Sequence, residues 1–163
     1  MNDIATLRRI LGTCRTIAVV GLSPQWHRPS FFAAKYMQAH GYRIVPVNPT
    51  APEILGEPSY PSVTEAARAL ATKGERIDMV DCFRRTEDIG PLAEEAIAVG
   101  AKCLWQQIGV VNEEAAARAR AAGLDVVMDR CVKIEHARLF GGLNWAGVNT
   151  RVISSRRPQQ LPY

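Results

Sequence analysis

The chain of 163 residues predicts an α/β protein built on a doubly wound, five-stranded parallel sheet with helices on both faces. Short apolar runs rich in β-branched residues alternate with helix-length segments, and the turns between them are short. Helix starts and stops also carry their own chemical marks. With right-handed crossovers and the usual doubly wound arrangement, these observations predict strand order 3-2-1-4-5 in a three-layer α/β/α stack.

The first segment, 1–12, is an amphipathic helix candidate with no apolar core followed by a cleavage site, so no signal peptide is expected. Strands are expected at 17–21, 43–47, 77–81, 102–105 and 125–128. Ile17 to Val20 illustrate the type: a continuous apolar run suits a strand covered on both faces. Helices are expected at 29–40, 63–71, 87–99, 113–122 and 131–140. Pro29 is preorganised for a first helical turn, and Ser62-Val63-Thr64-Glu65 is a capping box. Thr86 and Asn112 precede acidic first turns, while Gly41, Gly100, Gly123 and Gly141 stand where helices should stop. One domain over 1–141 is expected, followed by an extended tail at 142–163 with an added strand at 151–154.

Composition excludes several classes. Apolar residues make up 47% and charged residues 22%, as in an ordinary globular protein, and no apolar run approaches the length of a membrane span. A net charge of +4 favours anionic partners only mildly. No element carries a basic stripe with interleaved aromatics, so nucleic acid is not an expected partner. Cys14, Cys82, Cys103 and Cys131 are too scattered for a zinc site or a disulfide framework, which points to buried thiols in a reducing cytoplasm.

In a doubly wound sheet the ligand lies beyond the carboxyl ends of the strands, where strand order reverses; here that point is expected between the first and fourth strands. The first strand leads through Gly21-Leu22-Ser23 into Arg28-Pro29-Ser30. A helix start aimed back at a strand end offers free N–H groups and a positive dipole end to phosphate, and Arg28 can add a charged fork. Ser replaces the second Gly of a G-x-G-x-x-G fingerprint and the third is missing, so the turn argues for phosphate and poorly for NAD. After the second strand, Asn48-Pro49 supplies no acid for a ribose diol, although Lys35 and Arg43 keep a phosphate within reach. After the third, Phe83 can stack on a base and Arg84 can meet a phosphate, while Arg85 reads as a solvated charge. Gln106, Ile108 and Gly109 follow the fourth, behind a Trp105 that reads as core. Cys131 opens the last helix, where a thiol can be activated, yet His136 lies on another helix face and the structural reading is preferred.

In this order, Gly21-Leu22-Ser23, Arg28-Pro29-Ser30, Gly41-Tyr42-Arg43, Pro46-Val47-Asn48-Pro49, Phe83-Arg84-Arg85, Trp105-Gln106-Gln107-Ile108-Gly109 and the run from Asp129 to His136 resemble the small bacterial CoA-binding protein family. That family is similar to the CoA-binding domain of the succinyl-CoA synthetase α subunit. The resemblance covers about 4–139 and implies a Rossmann-like fold, coenzyme A or acyl-CoA at the first turn, and Asn48-Pro49 and Phe83-Arg84 beside the adenosine end. The synthetase's second domain, with its phosphorylated histidine, has no counterpart in this match, so ligase activity is not an expectation.

The leading expectation is therefore a non-catalytic, cytoplasmic CoA-binding carrier, sensor or regulatory module, alone, as a homo-oligomer or beside a partner subunit. Its expected binding residues are Gly21, Ser23, Arg28, Pro29, Ser30, Asn48, Pro49, Phe83, Arg84, Gln106, Ile108 and Gly109, with no catalytic residue and no metal. The alternatives are an NAD(P)-dependent oxidoreductase and an acyl-CoA enzyme using Cys131.

Overall fold

Apolar runs covered on both faces pair into a single parallel sheet, because the helices that join them must lie across it. Residues 2–141 are described by the structure, a computed structural model; the expected tail at 142–163 lies outside them. The central strands are β1 (Thr16–Val20), β2 (Arg43–Val47), β5 (Met79–Cys82), β6 (Cys103–Gln106) and β7 (Asp125–Val127). A small antiparallel ribbon, β3 (Glu53–Ile54) with β4 (Glu57–Pro58), interrupts the second crossover. The helices are α1 (Ile4–Thr13), α2 (Pro29–Ala39), α3 (Val63–Ala71), α4 (Ile89–Ala98), α5 (Glu113–Ala121) and α6 (Val132–Phe140). A short 3₁₀ turn at Thr86–Asp88 leads into α4, so the helix expected from residue 87 begins slightly later.

The doubly wound parallel sheet is as expected, but its order is β2-β1-β5-β6-β7, or 2-1-3-4-5 counting only these five strands, and not 3-2-1-4-5. Two local features explain the difference. Pro46 has no N–H, so β2 is unsuited to an interior place and sits at the edge, where Tyr60 donates to the Pro46 carbonyl at 3.0 Å. Asp78, just before β5, accepts from the backbone N–H groups of Arg15 and Thr16 at 2.9 and 3.1 Å. That contact fixes the start of β5 beside the start of β1. Order therefore reverses between β1 and β5, one strand nearer than expected.

Among the described residues, each face carries three helices. Side chains of α3, α4 and α5 pack with Ala18, Val20, Val80 and Leu104 on one side. Those of α1, α2 and α6 pack with Ile17, Val19, Met79 and Trp105 on the other. The caps follow the sequence: Asp3, Ser62 and Asn112 each accept a backbone N–H three residues on. Among the described residues, no helix is long and apolar enough to cross a membrane.

The Asp78 contact gives a direct test. Asp78→Ala removes two charge-assisted hydrogen bonds at a buried sheet end and should lower unfolding free energy by about 2–3 kcal/mol. Urea unfolding should show a lower midpoint with an unchanged slope.

Candidate ligand-binding cleft

The strands that flank the reversal end level with one another. Val20 is in register with both Val47 and Cys82, so the turns after β1, β2 and β5 leave the sheet side by side. They are stitched together by Gly21 N–H to the Val47 carbonyl at 3.0 Å, Phe83 N–H to the Val20 carbonyl at 2.9 Å, and the Asn48 amide to the Leu22 carbonyl at 2.9 Å. Gly21 has φ +80°, and a Cβ there would collide with the Phe83 carbonyl oxygen. Only glycine serves both demands.

Above these turns lies an open cleft of about 1170 Å³, lined by Gly21, Ser23, Arg28, Pro29, Ser30, Asn48, Pro49, Phe83, Arg84 and Ile108 from the expected set. Its volume exceeds the ~300–1,000 Å³ common for small-molecule pockets, which suits a long ligand. Gln25, Thr50, Arg85 and the start of α3 at Ser62 and Val63 join the lining, as do Asp88, Glu95, Gln107 and Val110.

Gln106 and Gly109 do not line the cleft. Gln106 is fully buried, and its Oε1 accepts from Asn112 N–H at 2.8 Å while its amide faces the Asn112 carbonyl, closing the loop after β6. Gly109 lies at the surface with its N–H on Asp129 at 2.8 Å. Because side chains alternate along an extended segment, the residue that reaches the cleft is the neighbour, Gln107. Arg43 is also at the wrong end of its strand, at the start of β2, where it pairs with Glu75.

Several lining residues are braces. Asn48 Oδ1 accepts from Thr50 N–H, Thr50 Oγ1 and Ala51 N–H, and its amide holds Leu22, so its polar atoms are committed. Ser30 Oγ accepts from Ser23 N–H at 3.0 Å, and Ser23 Oγ accepts from Gln25 N–H at 3.1 Å. These bonds set the shape of the first turn.

What remains for a ligand is a helix start and three arginines, Arg28, Arg84 and Arg85. The N-cap position of α2 is Arg28, which offers no side-chain acceptor, and no acidic residue stands in the first turn. The early N–H groups of α2 and its positive dipole end therefore open to the cleft with no side chain capping them. The Arg28 Nε leans on Gln25 at 3.3 Å, and Arg84 contacts Asp88 at 3.4 Å with its side chain about half exposed. The start of α3 enters the same cleft.

Beneath the cleft, Asp81 is 1% exposed on β5 and accepts from Gln107 Nε2 at 2.5 Å. Burial pushes its carboxyl up to about 7, and the Gln107 bond opposes that rise. Cys131 is at the N-cap of α6, half-buried and outside the cleft lining; burial raises its thiol above the ordinary value. Cys14, Cys82 and Cys103 are buried in the core.

A family model described as the CoA binding domain matches residues 15–137. The chain belongs to that family. It is 41% identical over 133 residues to the uncharacterized protein YneT of Bacillus subtilis, covering 82% of this chain and 93% of YneT. A hypothetical protein from Pyrococcus horikoshii shares 38% identity at a TM-score of 0.78, with 86% of this chain and 94% of that one covered. The dinucleotide-forming acetyl-coenzyme A synthetase 1 of Ca. Korarchaeum cryptofilum shares the fold at a TM-score of 0.59 and 22% identity, over 74% of this chain and 27% of the synthetase.

Two outcomes check this geometry. Gly21→Ala should lose about 2–4 kcal/mol of stability, combining left-handed strain with the collision at Phe83. Asp81 binds its proton more tightly folded than unfolded, so its contribution is greatest below the ordinary carboxylate range and is lost as pH rises through about 7. Asp81→Asn should flatten that part of the stability profile, measured by thermal unfolding between pH 4 and 8.

Proposed function

We propose that the cleft holds coenzyme A or an acyl-CoA, with the pyrophosphate at the start of α2 and the adenosine end toward Asn48, Pro49 and the start of α3. The observation that carries this reading is the uncapped α2 start opening, with Arg28 and Arg84, into one cleft. Membership of the CoA binding domain family supports the same ligand. Coenzyme A carries a pyrophosphate and a 3′-phosphate; the α2 start offers a fixed anion contact and the arginines beside it an adaptable one, whereas at the α3 start Ser62 Oγ and Glu95 Oε1 already accept from the N–H groups of Glu65 and Thr64.

NAD(P) suits this site less well. The second strand ends in Asn48, whose oxygen is already occupied by three donors, so the position offers no free carboxylate to a ribose diol.

On our reading the protein binds without turning its ligand over, as a carrier, sensor or regulatory module. Cys131, the strongest nucleophile candidate, lies outside the cleft lining and is held toward its thiol form by burial. Intact-mass analysis after incubation with acyl-CoA should therefore show no adduct that forms and turns over at Cys131.

Coenzyme A at about 100 times its Kd should stabilise the fold by about 2.7 kcal/mol, visible as a higher Tm, while NAD(H) leaves it in place. Arg28→Ala should weaken coenzyme A binding roughly 10–150-fold, the cost of one charge-assisted hydrogen bond, and leave the unliganded Tm unchanged. A midpoint shifted by NAD(H) and not by coenzyme A would reject the reading.

A further inference from the structure

Gln107 is the one polar residue of the loop after β6 that both lines the cleft and is anchored from below. Resting on the coenzyme A reading, we propose that Asp81 positions Gln107 so that its carbonyl oxygen faces the cleft and accepts an N–H from the ligand's pantetheine amides. The pair thus selects for the amide-bearing arm, a part of the ligand that the phosphate contacts do not reach.

The argument rests on geometry. Gln107 is 5% exposed, its backbone N–H is directed to the Cys82 carbonyl, and its Nε2 lies 2.5 Å from Asp81 Oδ1. An ionised carboxylate only accepts hydrogen bonds, so the amide must turn its NH₂ down to Asp81. The one side-chain hydrogen bond of Gln107 among the described residues uses Nε2 and leaves Oε1 without a partner. An unpaired amide oxygen at the wall of a cleft is an acceptor open to a donor, and a ligand amide supplies one at little ordering cost. Its place also fits a ligand that runs past the α2 start, since β6 lies on the opposite side of β5 from the β2 turn.

The arrangement carries a pH dependence. Protonated Asp81 acquires a donor and permits the amide to flip, which would present NH₂ to the cleft. The titratable neighbours coupled to Asp81 are thiols: Cys82 on its own strand, Cys103 on β6 and Cys131 before α6. Their pKa values are raised by burial, so they stay neutral while Asp81 titrates near 7.

Calorimetric titration with coenzyme A and with adenosine 3′,5′-bisphosphate, which lacks the pantetheine arm, tests the proposal. The 5′-phosphate monoester of the bisphosphate titrates between pH 6 and 8 and the pyrophosphate diester of coenzyme A does not, so the pH dependence is read from coenzyme A alone, as the ratio of wild-type to Gln107→Met affinity at each pH. Gln107→Met should lower coenzyme A affinity roughly 5–30-fold, the worth of one buried hydrogen bond, and change bisphosphate affinity less than about twofold. The ratio of wild-type to Gln107→Met affinity for coenzyme A should fall several-fold from pH 8 to pH 6. In an Asp81→Asn background, where residue 81 carries a donor at every pH as protonated Asp81 does, the same ratio should be low and pH-independent. Coenzyme A affinity unchanged by Gln107→Met at pH 8, or a pH-dependent ratio that survives Asp81→Asn, would overturn the proposal. Wild-type protein that binds neither ligand would overturn the coenzyme A reading, and this proposal with it.

Discussion

The level ending of β1, β2 and β5 is the constraint on which the rest depends. It brings three turns together, and Gly21 is the point where they meet, held to the Val47 carbonyl on one side and packed against the Phe83 carbonyl on the other. Such close backbone packing leaves no room for a side chain at residue 21, so main chain is exposed to the cleft there. Main-chain carbonyls are occupied by the stitching bonds, whereas the early N–H groups of α2 are left facing outward. A site with an electropositive rim follows from sheet register before any arginine is considered.

Much of this was legible in the sequence because it depends on local signals. The β-branched run at 17–20, the proline at residue 29 and the caps at Ser62 and Asn112 each specify their own neighbourhood, and the corresponding elements formed within a few residues of expectation. Strand order differs from the expectation because it depends on contacts between distant segments. Even so, Pro46 carried part of the answer: a strand that cannot donate at its centre belongs at an edge. The ribbon of β3 and β4 was missed because two-residue strands have no periodicity. Its tight turn, with Leu55 and Gly56 both at positive φ, is visible only in the backbone.

The candidate site divides in the same way. Residues next to strand ends and the α2 start reached the cleft because topology alone sends them there. Gln106 did not, because one residue of alternation separates a side chain in the core from one in the cleft, and the exact end of β6 was not encoded locally. Asn48 and Ser30 line the cleft with their polar atoms already engaged. Sequence spacing identifies such residues as near a ligand and gives no account of what their hydrogen bonds are doing. The buried Asp81 was unmarked for a similar reason, since its carboxyl matters only through a partner 26 residues away.

Division of labour among these groups gives the proposed site its logic. Braces hold the turn, the helix start and arginines supply charge, and Asp81 with Gln107 forms a polar contact further along. The most direct measurement of the central claim is an amide NMR titration of the isotopically labelled chain with coenzyme A. The expected result is saturable shifts concentrated at Leu22, Ser30 and Phe31, with smaller ones around Phe83 and Gln107. Saturable shifts confined to the opposite, amino-terminal edge of the sheet, or none at millimolar coenzyme A, would contradict it.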